Sequence, residues 1–185
     1  MSKLFQYGGI VASVILIAFG AGSLFMGIDG RATVRDNLKR EQIVGTPDMA
    51  KSVAGKQVTT GAQAKAFAQG MRKHTLEATG GQTYAEMGRY LTAAGKPTND
   101  EKAAAVDPKT QKPVENGART LWVTETALTT ALNTAFFAES VATFAIVMGV
   151  ALLLVGGGFL VLTLRVLRQP SPAPRPRTQA AAAAG

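Results

Sequence analysis

Two stretches of this chain, residues 4–28 and 140–164, each run 25 residues without a charged side chain. Glu139 and Arg165 bracket the second. A helix rises about 1.5 Å per residue, so about 20 residues cross about 30 Å of hydrocarbon. Either stretch exceeds that length. The sequence therefore reads as an all-α membrane protein: two transmembrane helices flanking a small helical extracytoplasmic domain. The expected divisions are a short cytoplasmic segment over 1–7, a first transmembrane helix over 8–28, a helical loop domain over 29–139, a second transmembrane helix over 140–164, and a disordered, basic, Pro/Ala-rich cytoplasmic tail over 165–185.

With about 50 residues assigned to lipid, about 110 remain for the loop, room for one small module. The chain has no cysteine. Disulfides, thiolate metal sites, cysteine nucleophiles and lipid-modified cysteine anchors are thereby excluded. The net charge of +8 suits an anionic bilayer surface.

Lys3 ahead of the apolar residues 10–19 also matches the opening of a secretory signal, with Ala18, Gly20, Gly22 and Ser23 small enough for cleavage. The apolar run continues through Leu24, Phe25, Met26 and Ile28, beyond the length of a signal core, so an uncleaved span is the reading adopted. Arg165, Arg168, Arg175 and Arg177 lie on the tail side of the second span and place the tail in the cytoplasm. Around the first span the charges disagree: Lys3 stands on one side, and Arg31, Arg35, Lys39 and Arg40 on the other. Long loops translocate largely regardless of charge, so the second span decides. Both termini are expected inside and the loop outside. Lys3, Arg165, Arg168, Arg175 and Arg177 are the candidates for contact with lipid headgroups.

Small residues recur at four-residue spacing in both spans. Gly9, Ser13, Ala18 and Gly22 in the first, with Ala145 and Gly149 in the second, are the candidates for close helix packing. Ser23/Gly27 and Ala138/Ala142 repeat the spacing.

The loop reads as helical throughout, with no alternating apolar stretch for a half-buried strand. Capping-box spacings at Thr60/Gln63, Thr83/Glu86 and Thr98/Glu101 mark three helix starts, and Thr46-Pro47-Asp48 a fourth. Gly80-Gly81 and Gly95-Lys96-Pro97 mark stops. From about Ala118 the pattern turns helical and stays so, predicting that the second span extends several turns out of the membrane. The first span is expected to continue through Val34, Leu38 and Ile43. Few large apolar residues lie between Gly45 and Gly117, too few to order more than about 70 residues alone. The loop needs a further surface, from the extension of the second span or from a second subunit. After Arg168, Pro170, Pro172, Pro174 and Pro176 alternate in a tail without P-x-x-P spacing.

The chemistry-bearing residues are sparse. His74 is the single histidine, on a helical stripe with Phe67 and Met71. A facial iron triad needs two histidines and a carboxylate, which one chain does not supply. Gly95-Lys96 and Gly55-Lys56 lack the remaining positions of a phosphate loop, and no G-x-S-x-G elbow occurs. Trp122 precedes the second span by about 18 residues, too far for an interfacial anchor, and is expected to pack in the loop domain.

The stretch from His74 to Leu91 and that from Leu121 to Thr134, with Val34-Arg-Asp-Asn-Leu-Lys and Ile43-Val-Gly-Thr-Pro-Asp-Met, resemble a family of bacterial two-span membrane proteins of unassigned activity. The resemblance covers nearly all of the chain except the tail. It implies a bacterial plasma-membrane location and the two-span architecture. Some family members bear an automatic label as aromatic ring-opening dioxygenases, and some carry a cysteine pair near the position of residues 52–65. The expected function is a non-catalytic integral membrane protein, without cofactor or metal, whose extracytoplasmic domain makes protein or envelope contacts. Expected partners are membrane lipids and either a protein or a second copy of the chain, with no nucleic acid. A small sensor signalling through a partner's spans is the alternative. The dioxygenase of the family label is a distant third.

Overall fold

The computed structural model describes the backbone of residues 2–168 and the side chains of residues 7–165. The tail read as disordered begins at 165, but its first four residues are the last turn of the third long helix; the rest, with Arg175 and Arg177, lies outside the described residues, as do the side chains of Lys3 and Arg168. The described elements are α1 (Ser2–Arg40), α2 (Gly61–Ala78), a two-stranded sheet of β1 (Tyr90–Leu91) and β2 (Pro97–Thr98), a single 3-10 turn (Glu101–Ala103) and α3 (Gly117–Arg168). Helices thus dominate. α1 and α3 each contribute to two compact units, one holding α1 as far as Ser23 and α3 from Met148, the other Leu24–Val147.

In the first unit, α1 and α3 run antiparallel and meet at small residues. A Cβ built on Gly20 would stand 2.9 Å from the Gly149 carbonyl oxygen, and one on Gly156 would stand 3.1 Å from the Ile17 nitrogen. Neither helix buries its remaining circumference. Phe19 is 69% exposed and Leu154 72%. Both α1 and α3 are long and apolar enough to cross a membrane, and only 11% of the most apolar stretch of each is buried. The core helix of a water-soluble protein would be mostly covered.

The second unit is built on the same two helices. α1 runs on past the apolar stretch to Arg40, where Lys39 and Arg40 complement the helix dipole. Gln42, at φ 52°, then breaks the helical path, so the helix stops short of the expected Ile43. α3 starts at Gly117, its first turn capped by Asn116, whose side-chain oxygen accepts from the Ala118 nitrogen at 3.1 Å. No proline interrupts its 52 residues.

α2 is bounded as its caps require. The Thr60 hydroxyl accepts from the Gln63 nitrogen at 3.3 Å, while the Gln63 amide oxygen reaches back to the Thr59 nitrogen at 2.9 Å, one residue earlier than a capping box. At the other end the Gly81 nitrogen donates to the Leu76 carbonyl at 2.7 Å and the Gly80 nitrogen to that of Glu77 at 3.2 Å. Gly80 takes φ 63°, the left-handed position that closes a Schellman motif.

The loop is not helical throughout. The Thr83/Glu86 box forms, with the Glu86 carboxylate accepting from the Thr83 nitrogen at 2.6 Å, but one turn follows rather than a helix. Thr98 lies in β2, and Asp100 caps the 3-10 turn instead. Thr46-Pro47-Asp48 opens a tight turn. A capping box satisfies the donors of one turn; a longer helix also needs a continuous apolar stripe to bury. Gly88, whose added Cβ would sit 2.5 Å from the Thr98 nitrogen, brings the chain back into an antiparallel pair instead.

The further surface that the sparse loop core requires comes from both long helices. Val53, Val58, Ala64 and Ala68 of the loop cluster with Leu38 of α1 and Leu132 of α3. Trp122 packs in this domain: it is buried, its Nε1 donates to the Gln82 carbonyl at 3.0 Å, and the Arg72 guanidinium lies 5.2 Å from its ring.

Candidate functional site

In the second unit, Glu139 is the α3 side chain that hydrogen-bonds to both other helices. Arg31 and Arg35 are one turn apart on α1, so both guanidiniums reach one face. Their Nε atoms donate to Glu139 Oε1 at 3.1 and 2.7 Å. The Gly61 nitrogen, at the first position of α2, donates to Oε2 at 2.5 Å. Glu139 is only 8% exposed, whereas both arginines stay half-exposed. One carboxylate therefore joins all three helices and neutralises a free donor at the positive end of α2. The approach is close because position 61 is glycine: a Cβ there would lie 2.8 Å from the Phe136 Cα.

Beside this junction the three helices and the 43–49 turn enclose an open groove of about 770 Å³. Val34 and Leu38 of α1, Phe67 and Met71 of α2, and Leu132 and Ala135 of α3 form much of its wall. Its volume falls within the 300–1,000 Å³, roughly, of small-ligand sites. The ionisable lining groups are Glu41 and His74. The His74 Nε2 lies 2.5 Å from Asp48 Oδ2. The Asp48 carboxyl is lowered from the ordinary 3.8 to about 2, first by a hydrogen bond from the Thr46 side chain, then by that from His74. This exposed pair ties the 46–49 turn to α2. Among the described residues no group of three His, Cys, Asp or Glu side chains is arranged to hold a metal ion.

The residues marked by four-residue spacing separate into two faces. Ser13 is fully buried and donates to the Gly9 carbonyl at 2.7 Å; a Cβ on Gly9 would meet Thr163 at 2.8 Å. Gly149 is buried opposite Gly20, and Ala145 is half-buried. Ala18 and Gly22 lie on the exposed face, and nothing stands within 4 Å of a Cβ at Gly22. Their exclusion is angular. A pair of helices meets along a seam that repeats about every seven residues, and positions 18 and 22 fall between its contacts. The seam residues are Ser13, Gly20 and Gly27 on α1 and Ala142, Gly149 and Gly156 on α3, each series spaced by seven. Gly20 and Gly156 make backbone contacts that four-residue spacing missed, while Gly27, marked by its spacing from Ser23, makes another. In the second unit, a Cβ on Gly27 would lie 2.7 Å from the Ala142 carbonyl oxygen. Arg165, the described headgroup candidate, is exposed.

The Glu139 junction was legible only as flanking charge. Arg31 follows the first apolar run by three residues and Glu139 immediately precedes the second. Residues flanking two runs become neighbours when the helices are antiparallel, which was the available signal. No family model, curated protein or solved structure matches the chain.

Proposed function

We propose that this is a non-catalytic integral membrane protein of the bacterial plasma membrane. Its helix pair lies in lipid, and both termini are cytoplasmic. The loop domain stands on the extracytoplasmic face and makes contacts there, with an envelope component, a protein partner or a second copy of the chain. The observation that carries the reading is the uncovered apolar circumference of α1 and α3, with 11% of each apolar stretch buried. Lipid is the solvent that such a surface requires. The charges agree: Arg31, Arg35 and Glu139 lie just beyond the apolar runs, and they pair with one another at that level.

The sensor reading draws support from the groove of about 770 Å³, since an occupant there touches all three helices at once. Two measurements test the proposal. The chain lacks cysteine, so Ser52→Cys in the exposed loop gives a single thiol. An impermeant thiol reagent should label it in intact, outer-membrane-permeabilised cells; labelling only after lysis overturns the orientation. Crosslinking followed by purification in mild detergent should bring down a stoichiometric partner or a homodimer through the loop domain. A purely monomeric chain that responds only to added small molecules would favour the sensor.

A further inference from the structure

We infer that the groove between α1, α2 and α3 takes up one acyl chain of a bilayer phospholipid. The inference rests on the membrane reading above and names the occupant of a site within it. Four observations converge on that occupant. The α3 wall of the groove runs from Leu128 to Ala138. That is ten residues, or about 15 Å of helix, an elongated slot rather than a round pocket. Its Ala138 end stops two residues short of the charge-free run that begins at Ser140. On α3 the lining thus ends about 3 Å along the helix from that run, and on α1 it begins at Val34, six residues or about 9 Å beyond Ile28.

The lining chemistry selects a chain over a polar ligand. Most of its large residues are aliphatic, thioether or aromatic, Leu38, Met49, Phe67, Met71 and Leu132 among them, with Asn37, Glu41 and His74 the large polar exceptions. Methionines adapt their shape to a flexible apolar guest. Among the described residues, no buried side-chain polar atom lacks a hydrogen-bond partner, and the polar lining groups Asn37, Glu41, Thr46 and Thr134 lie on the exposed side of the groove.

The charges select a phospholipid tail over a free fatty acid. A free carboxylate would need a cation beside it. The ionisable lining groups are the acidic Glu41 and His74, and the latter is already held by Asp48. A tail whose headgroup remains at the membrane surface brings no charge into the slot. Leu128, half-exposed at the far end, leaves room for the chain terminus.

The test uses the full chain in nanodiscs of phosphatidylethanolamine and phosphatidylglycerol, doped with a phosphatidylcholine bearing a diazirine at one acyl terminus. After irradiation, labelled positions are mapped by peptide mass spectrometry. Adducts are expected on Met49, Phe67 or Met71, with Arg72 and Lys73 on the outer side of α2 unlabelled. Leu128→Glu should leave helicity by circular dichroism unchanged. It should reduce groove adducts about tenfold or more, the factor for about 1.4 kcal/mol, which a carboxylate against an acyl chain exceeds. Span positions such as Phe19, Phe144 and Leu154 are the internal control. Labelled spans with an unlabelled groove, or groove labelling indifferent to Leu128→Glu, overturn the inference and leave the membrane reading standing. Unlabelled spans overturn both. An unlabelled groove beside labelled spans, with a second polypeptide copurifying in stoichiometric amount, overturns it in favour of a protein occupant.

Discussion

Glu139 ties α3 to both α1 and α2 through one carboxylate. Glu139→Ala strands two guanidiniums and the first amide of α2. Because both arginines are half-exposed, water screens much of the loss, and the expected cost is about 2 kcal/mol. Arg31→Ala or Arg35→Ala alone should cost about 1 kcal/mol or less, since the carboxylate keeps its other partners. Urea unfolding in mild detergent, followed by the emission of Trp122, the sole tryptophan, measures all three. Equal losses from Glu139 and either arginine would contradict the hub. Asp48 gives a pH dependence. Its folded pKa is depressed from 3.8 to about 2, so its contribution is complete above about pH 4 and is lost as pH falls toward 2. Asp48→Asn should lower the unfolding midpoint at neutral pH, and the difference from wild type should shrink to nothing as pH approaches 2. At this scale the sequence was least legible. Arg31, Arg35 and Glu139 read as topology signals because their pairing depends on two residues more than a hundred positions apart.

At the scale of elements, α3 was legible because no proline or glycine interrupts positions 118–148, and α2 because Thr60 and Gly80-Gly81 bound it with matching chemistry. The short loop elements were not. Thr83/Glu86 satisfies one turn and nothing beyond it supplies a stripe to bury, so local hydrogen bonds formed without a helix. The helix seam was half legible. Small residues were found, but a four-residue rule does not distinguish the contact face from its neighbour, and the seven-residue series does. Gly27 and Gly22 test that distinction. Gly27→Ala forces a Cβ to within 2.7 Å of backbone and should destabilise the pair by about 1–3 kcal/mol. Gly22→Ala meets open space and should change stability by about 0.5 kcal/mol at most. Thermal unfolding of the two variants in the same detergent decides it; equal effects would place the seam elsewhere.

At the scale of the whole molecule, the shortage of apolar residues in the loop was legible, and so was the need for a surface from outside it. Leu38 and Leu132 show that both long helices supply that surface. The same two helices leave Phe25, 74% exposed, and Leu154 without protein cover. Alkaline carbonate extraction of cells expressing the full chain asks directly whether lipid covers them. The chain should remain intact in the pelleted membranes and enter solution only when detergent is added. Full-length chain in the detergent-free supernatant would contradict insertion of the two helices.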